Sequence, residues 1–400
     1  MKNKIIAMVL VATVAVPVAA QADADSTSIA HRIEVSAREG YVMPSNLMLR
    51  GGNKYNSKVR SAFGASVEYG FSFAPSSRYG RLYPTAYQGI GVGFNGFSSS
   101  KITGTPVNIY VLQGARLANF SSRLSLDYEW NFGVSAGWRK NSDPNKIIST
   151  DDIDGFGSRL NAYIDLGFKL NYALSERLDL VAGINISHFS NGNTNYPNPG
   201  VNVLWGKVGV VYKPGRLQPV RHADWSGYER HVSYDLTLYG AWRKNLFNYG
   251  AEGSEPKDHP IPGHFGLCGL NFNPLYHFNP MLSLGASLDM QYEQGANLSP
   301  YYEPSTPIED PKFYRQPFSH RMMIGLSARA ELQMPIFAVN IGIGHSLYAP
   351  GGPDLRGWYQ TFTLKTFITR HLYLSTGYRL VRFKNPGNLM LGLGWRFNAR

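Results

Sequence analysis

Leu124-Ser-Leu-Asp-Tyr-Glu-Trp-Asn-Phe-Gly-Val-Ser-Ala-Gly-Trp138 alternates from end to end. Its even positions carry Leu124, Leu126, Tyr128, Trp130, Phe132, Val134, Ala136 and Trp138. Its odd positions carry Ser125, Asp127, Glu129, Asn131, Gly133, Ser135 and Gly137. Successive side chains of a strand point to opposite faces. The segment therefore has one bulky apolar face and one polar, charged face along its whole length. The same pattern returns over residues 162–172, where Tyr163, Asp165, Lys169 and Asn171 share the polar face. It returns again over 282–292, and over 322–334 with Arg329 and Glu331. A soluble β-sandwich also alternates, but its polar face looks at water and its apolar face at a second sheet. Here charges run along entire strands and aromatics crowd the strand ends (Tyr172, Tyr212, Tyr292). Apolar side chains turned to lipid, aromatic girdles and a polar interior make a transmembrane antiparallel β-barrel of the bacterial outer-membrane type.

The composition agrees. The chain has 25 Tyr, 21 Phe, 7 Trp and 42 Gly among 400 residues, and helical periodicity is nearly absent. Lys2 and Lys4 precede an apolar run from Ile5 to Ala19 and then Ala20-Gln21-Ala22. That order reads as an export signal over residues 1–22, cut before Asp23. The single cysteine, Cys268, excludes an intrachain disulfide framework and a cysteine-based zinc site. The formal charge of +12 suits an anionic lipid surface, and an exported barrel does not meet nucleic acid.

Counting alternating segments gives 14–16 strands. With a first strand over 30–38 running outward, long loops (39–58, 139–155, 246–261, 295–316) fall at the outer end. Short turns (117–119, 173–176, 278–280, 334–335, 370–371) fall at the inner end, as such barrels arrange them. One basic, proline-containing inner connection, 214–230, is expected to be long and periplasmic. It divides the chain into halves, 23–213 and 231–400. One large barrel is the preferred reading, because only the first half carries the motif described next. Two tandem eight-stranded units are the alternative.

That motif is His188-Phe-Ser190-Asn191-Gly192, at the outer end of a seventh strand over 178–189. His188 and Ser190 are two apart and share a face with Ala182, Ile184 and Ile186. Asn202, twelve residues after Ser190, starts the return strand on the face of Leu204, Val208, Val210 and Tyr212. Lys207 and Lys213 belong to the opposite face. A histidine beside a hydroxyl, with a polar orienting group, is an activated nucleophile. On an apolar outer wall it suits an ester of a membrane lipid. His188 is the expected base, Ser190 the nucleophile and Asn202 the orienter. The backbone N–H groups of Asn191 and Gly192 are the expected oxyanion donors. No metal or cofactor is required. Arg139, Lys140 and Lys146 are loop cations able to meet lipid phosphates. His320 and His345 are read as lumen or loop residues.

His188-x-Ser190-Asn191 followed by Asn198-x-Gly200 resembles the outer-membrane lipid A 3-O-deacylase (PagL) family. Tyr41-Val-Met-Pro44 and Tyr128-Glu-Trp-Asn-Phe-Gly133 are similar to its members labelled acyloxyacyl hydrolases. The resemblance implies a serine esterase acting on lipid A of lipopolysaccharide, with a glutamate where this chain has Asn202. The same stretch also resembles outer-membrane phospholipase A, which has an asparagine there. That family follows the glycine with an arginine, where this chain has Asn193. A porin-like barrel without activity is the non-enzymatic alternative.

Overall fold

A computed structural model describes residues 29–143, 147, 150–214, 222–248, 258–301, 312–383 and 385–399. The expected export signal and Lys146 lie outside the described residues.

Eight strands form the first sheet: β1 (Ala30–Val42), β2 (Ser61–Ser72), β3 (Tyr87–Phe97), β4 (Gly104–Asn119), β5 (Leu124–Trp138), β6 (Leu160–Ala173), β7 (Leu178–Ser190) and β8 (Val201–Tyr212). Each pairs antiparallel with the next. β1 then pairs with β8 from Ile33↔Tyr212 to Val42↔Val203, which closes the ring. The second sheet begins with β9 (His231–Arg243). Two short strands, β10 (Leu246–Asn248) and β11 (Asp258–Pro260), pair in the loop that follows. β12 (Phe265–His277) and β13 (Leu282–Glu293) continue the sheet. A second short pair, β14 (Ser299–Tyr301) and β15 (Lys312–Tyr314), precedes β16 (Met322–Gln333). β17 (Phe337–Tyr348), β18 (Trp358–Phe367), β19 (Leu372–Val381) and β20 (Asn385–Phe397) complete it. β20 pairs back onto β9 and closes a second ring of eight.

Sixteen barrel strands are present, within the expected 14–16, as two closed barrels of eight, the alternative reading, rather than the single large one preferred from sequence. The reason lies inside the rings. A ring of eight leaves an interior that side chains just fill, often by setting small residues against large ones. A Cβ on Gly91 would lie 2.4 Å from the Tyr110 ring, and one on Gly394 would lie 2.1 Å from the Tyr373 ring. Inward glycines thus receive inward tyrosines from neighbouring strands. The uniqueness of the His-x-Ser motif carried no information about closure.

Alternation sorts the faces as expected. Val67, Ile184 and Val208 point outward and are exposed, whereas Glu34, Glu68, Glu129, Lys169 and Lys207 are buried inside the first ring. Charges buried in a barrel survive only when paired. Glu34 receives Lys169 at 2.8 Å and Lys207 at 2.7 Å, and Lys169 also bridges to Glu129. Tyr110 donates to Glu68 at 2.9 Å, and Tyr87 donates to Glu129 at 2.8 Å. Among the described residues these three glutamates form a cluster close enough for a metal, but Lys169, Lys207 and Arg32, which bridges to Glu34 at 3.1 Å, already supply three positive charges against it. In the second ring Arg396 grips Asp235 through two bonds of 2.7 Å, and Lys365 joins Asp235 at 2.6 Å and also Glu331.

Two connections and two side chains depart from the expected arrangement. The turn expected at 117–119 lies at 120–123, because β4 runs on to Asn119 past a register shift between Arg116 and Ala118. The connection 73–86, at the short-turn end, is long and holds a helical turn, Arg78–Leu82. Trp138 continues the apolar face of β5 in the sequence, yet it is buried. Gly137 takes a φ of +102° and turns the indole inward, where its Nε1 donates to Ser135 at 2.8 Å. His345 is exposed on the outer face of β17, against Trp358, and is not in the lumen.

Candidate active site

β7 holds its inner face with polar locks. Asn185 donates to Asp165 at 2.8 Å, Ser187 donates to the same carboxylate at 2.5 Å, and the Trp205 indole of β8 donates to Ser187 at 2.8 Å. Phe189, fully buried, stacks on Tyr163 at 5.2 Å and meets Trp138 at 5.2 Å. These contacts fix β7 and β8 from within. The outward residues between them, His188 and Ser190, are presented on a rigid wall and are half-buried.

His188 lies directly opposite Asn202 in the β7–β8 register. The contact is direct: His188 Nδ1 and Asn202 Oδ1 are 2.7 Å apart. A carboxamide oxygen only accepts, so Nδ1 carries the hydrogen and donates it. The lone pair is then on Nε2, the nitrogen available to a base. Ser190 pairs with Ala162 of β6, two residues beyond the Ile164↔His188 pair. The three expected residues thus share the outer surface at the loop end of β7 and β8.

The segment from Asn191 to Gly200 connects β7 to β8 at this end. Gly192 has a φ of +63° and Asn193 of +63°, a left-handed turn that glycine and asparagine tolerate. The Asn191 N–H, one of the two expected oxyanion donors, donates to Asn198 Oδ1 at 3.0 Å. Gly200 has a φ of +61°, and a Cβ there would stand 3.4 Å from His188 Cε1. The chain therefore passes close to the imidazole ring.

Two residues outside the motif hold that segment. Asn46 donates to the carbonyls of Pro199 at 2.7 Å and Gly200 at 3.1 Å. The Gly157 N–H donates to the Pro197 carbonyl at 2.7 Å, and a Cβ on Gly157 would lie 2.6 Å from the Tyr196 backbone. Sequence reading missed both. The only local signs were turn-forming residues, Pro44-Ser-Asn46 and Gly155-Phe-Gly157. Arg139 and Lys140 are exposed at the start of the loop after β5, where Lys140 forms an isolated bridge with Phe156.

The second ring carries its histidines differently. His277 is buried in the lumen, with Ser233 at 2.7 Å from Nε2 and Ser283 at 2.7 Å from Nδ1. Both ring nitrogens are engaged, so the arrangement reads as a structural lock.

Fold and site together define a class: outer-membrane β-barrels of eight strands, the first with a serine and a His–Asn pair on its outer wall. Residues 33–211 match the family model described as Lipid A 3-O-deacylase (PagL), and residues 232–399 match the one described as Acyloxyacyl hydrolase, C-terminal domain. The first barrel is therefore a domain of the lipid A 3-O-deacylase (PagL) family and the second a domain of the acyloxyacyl hydrolase C-terminal family. The first is a family of hydrolases. Among solved structures, the outer membrane enzyme PagL is 15% identical, with 44% of this chain and 97% of that chain covered and a TM-score of 0.30. Neisserial surface protein A is 11% identical, with 46% and 96% covered and a TM-score of 0.32. The siderophore receptor PirA from Pseudomonas aeruginosa is 9% identical, with 92% and 80% covered and a TM-score of 0.24. No curated protein matches the sequence.

Proposed function

We propose that the first barrel is an outer-membrane serine esterase that removes an ester-linked acyl chain from lipid A in the outer leaflet. The observation that carries this reading is the 2.7 Å His188–Asn202 hydrogen bond on the apolar wall beside Ser190. It sets the tautomer that a general base needs. His188 Nε2 takes the proton as Ser190 Oγ attacks the acyl carbonyl carbon. The tetrahedral oxyanion is stabilised by backbone N–H groups of the Asn191-Gly192 turn. The Asn198 carboxamide holds the Asn191 N–H until the oxyanion takes its place. Collapse breaks the bond between the carbonyl carbon and the sugar oxygen, and His188 returns its proton to that oxygen. Water then attacks the acyl-enzyme with the same base, releasing fatty acid and restoring Ser190. The filled interiors of both rings argue against a porin.

The test is acyl release from purified lipid A by wild type and Ser190→Ala, with mass spectrometry of the product. Wild type should release fatty acid, and Ser190→Ala should lose roughly a thousandfold or more in rate. Equal rates would remove Ser190 from the chemistry. A second reading, phospholipase A, is favoured by one observation: the orienter of His188 is an asparagine. Release from phosphoglycerides with none from lipid A would move the assignment there.

A further inference from the structure

An open groove of about 410 Å³ lies at the loop end of β1 and β2. Its buried lining is apolar: Val42, Leu49 and Val59. Its rim carries Arg50, Lys58 and Arg60, all exposed. Among the described residues none of these three makes an ion pair, and only Arg50 spends a side-chain donor, to the Pro44 carbonyl at 2.8 Å. Three cations around one cleft repel one another, so such a cleft is built for an anion.

The loop that carries the cations is ordered from within. Asn53 is wholly buried and donates to the carbonyls of Met48 and Ser57 at 2.8 Å each. Its own oxygen accepts from the N–H groups of Tyr55 at 3.1 Å and Ser57 at 3.2 Å. The Val59 N–H donates to the Leu49 carbonyl at 3.0 Å and draws the two sides of the loop together. Arg50 and Lys58 therefore stand on a fixed frame.

The groove is also joined to the His188 site. Tyr41, on its wall, pairs with Leu204 of β8, and the Met43 N–H donates to the Asn202 carbonyl at 2.9 Å. β1, β8 and β7 are consecutive strands, so the groove is two strand spacings, roughly 10 Å, from His188. Asn46 caps the Leu49 N–H with its oxygen while its nitrogen holds Pro199 and Gly200. One side chain thus keys the groove loop to the loop over the histidine.

We propose that this groove binds a phosphate monoester of the substrate, the headgroup phosphate of a phosphorylated glycolipid, and so sets which ester meets Ser190. The inference rests on the lipid A reading and adds to it a recognition site on the β1–β2 loop. Cations bind phosphate through charge-assisted hydrogen bonds, and arginine does so with two parallel donors. The apolar lining below the cations takes the first carbons of a neighbouring acyl chain.

Two measurements test it. The first is turnover of lipid A against lipid A stripped of its phosphates, by wild type and by Arg50→Gln/Lys58→Gln. Wild type should show a KM roughly tenfold lower for the phosphorylated substrate, with kcat little changed. The double variant should lose that preference. Equal KM values for the two substrates in wild type, or a preference that survives in the double variant, would overturn the proposal. The second is binding of the same two lipids to Ser190→Ala in detergent, which needs no turnover. Tighter binding of the phosphorylated lipid, abolished by the double variant, sustains the groove even if no ester is cut. That result with an inactive wild type would fail the esterase reading alone. Equal binding of both lipids would fail the groove alone. Inorganic phosphate in competition separates the sources: displacement at millimolar or lower concentration assigns the site to free phosphate and overturns a lipid headgroup site, whereas no displacement supports it.

Discussion

Asn202 occupies the place where the resemblance implies a glutamate, and at the residue scale that exchange has consequences. In the proposed mechanism the carboxamide oxygen orients His188 through one bond of 2.7 Å and would contribute no negative charge to the imidazolium formed during attack. Asn202→Ala removes the orienting bond, so kcat should fall by roughly 10–100-fold with activity remaining. Asn202→Glu keeps an acceptor and adds a charge that favours protonated His188. Because the base must be neutral to act, the acid limb of the rate profile should then move to higher pH. Acyl release measured against pH for the three proteins checks both outcomes. Coincident profiles for wild type and Asn202→Ala would leave Asn202 as a strand residue without a part in the reaction. These positions were legible in the sequence because a two-residue spacing on a strand and a short return loop are local facts. The hydrogen bond from the Asn191 N–H to Asn198 was not legible, since Asn198 reaches back through a turn whose path no spacing specifies.

At the scale of elements, the strand faces were legible and the loop contacts were not. β2 and β6 alternate so regularly that period alone sorts their side chains. Trp138 escaped that rule because one left-handed glycine reset the face at the end of β5. Asn46 and Gly200 are 154 residues apart, and nothing in either neighbourhood announces that they meet. That contact is nevertheless expected to matter. Asn46 gives two bonds to the segment that passes over His188, worth together about 1–2 kcal/mol of local order. Asn46→Ala should lower kcat several-fold while leaving the barrel's resistance to detergent unchanged. Asn46→Asp sharpens the test, because it still accepts from Leu49 N–H but donates to neither carbonyl. It should behave like the alanine variant. Normal kcat in Asn46→Asp would assign the residue to the cap on Leu49 alone.

For the whole molecule, ring closure was the one architectural choice that strand patterns left open. A sixteen-stranded barrel and two eight-stranded barrels need the same alternation and the same connection parity. What separates them is interior volume, written in pairs such as Gly91 with Tyr110 and Gly394 with Tyr373. Separate closure also means separate buried ion networks, and this gives the structure a mechanical signature. Lys365 lies between Asp235 and Glu331 inside the second ring, and all three are essentially inaccessible to solvent. Lys365→Met removes one cation and leaves two carboxylates to Arg396 alone. Breaking a buried pair from one side costs about 3–5 kcal/mol. A protease site introduced between residues 214 and 222 would let each ring be followed as its own fragment on a detergent gel. In wild type, both unboiled fragments should migrate differently from their boiled forms. In Lys365→Met the temperature at which the 231–400 fragment loses its folded mobility should fall, while that of the 30–213 fragment stays where it was. The residual acyl release of the cleaved protein should follow the 30–213 fragment through heating. A simultaneous fall in both fragments, or loss of heat-modifiable mobility on cleavage, would mean that the two rings do not hold their structure independently.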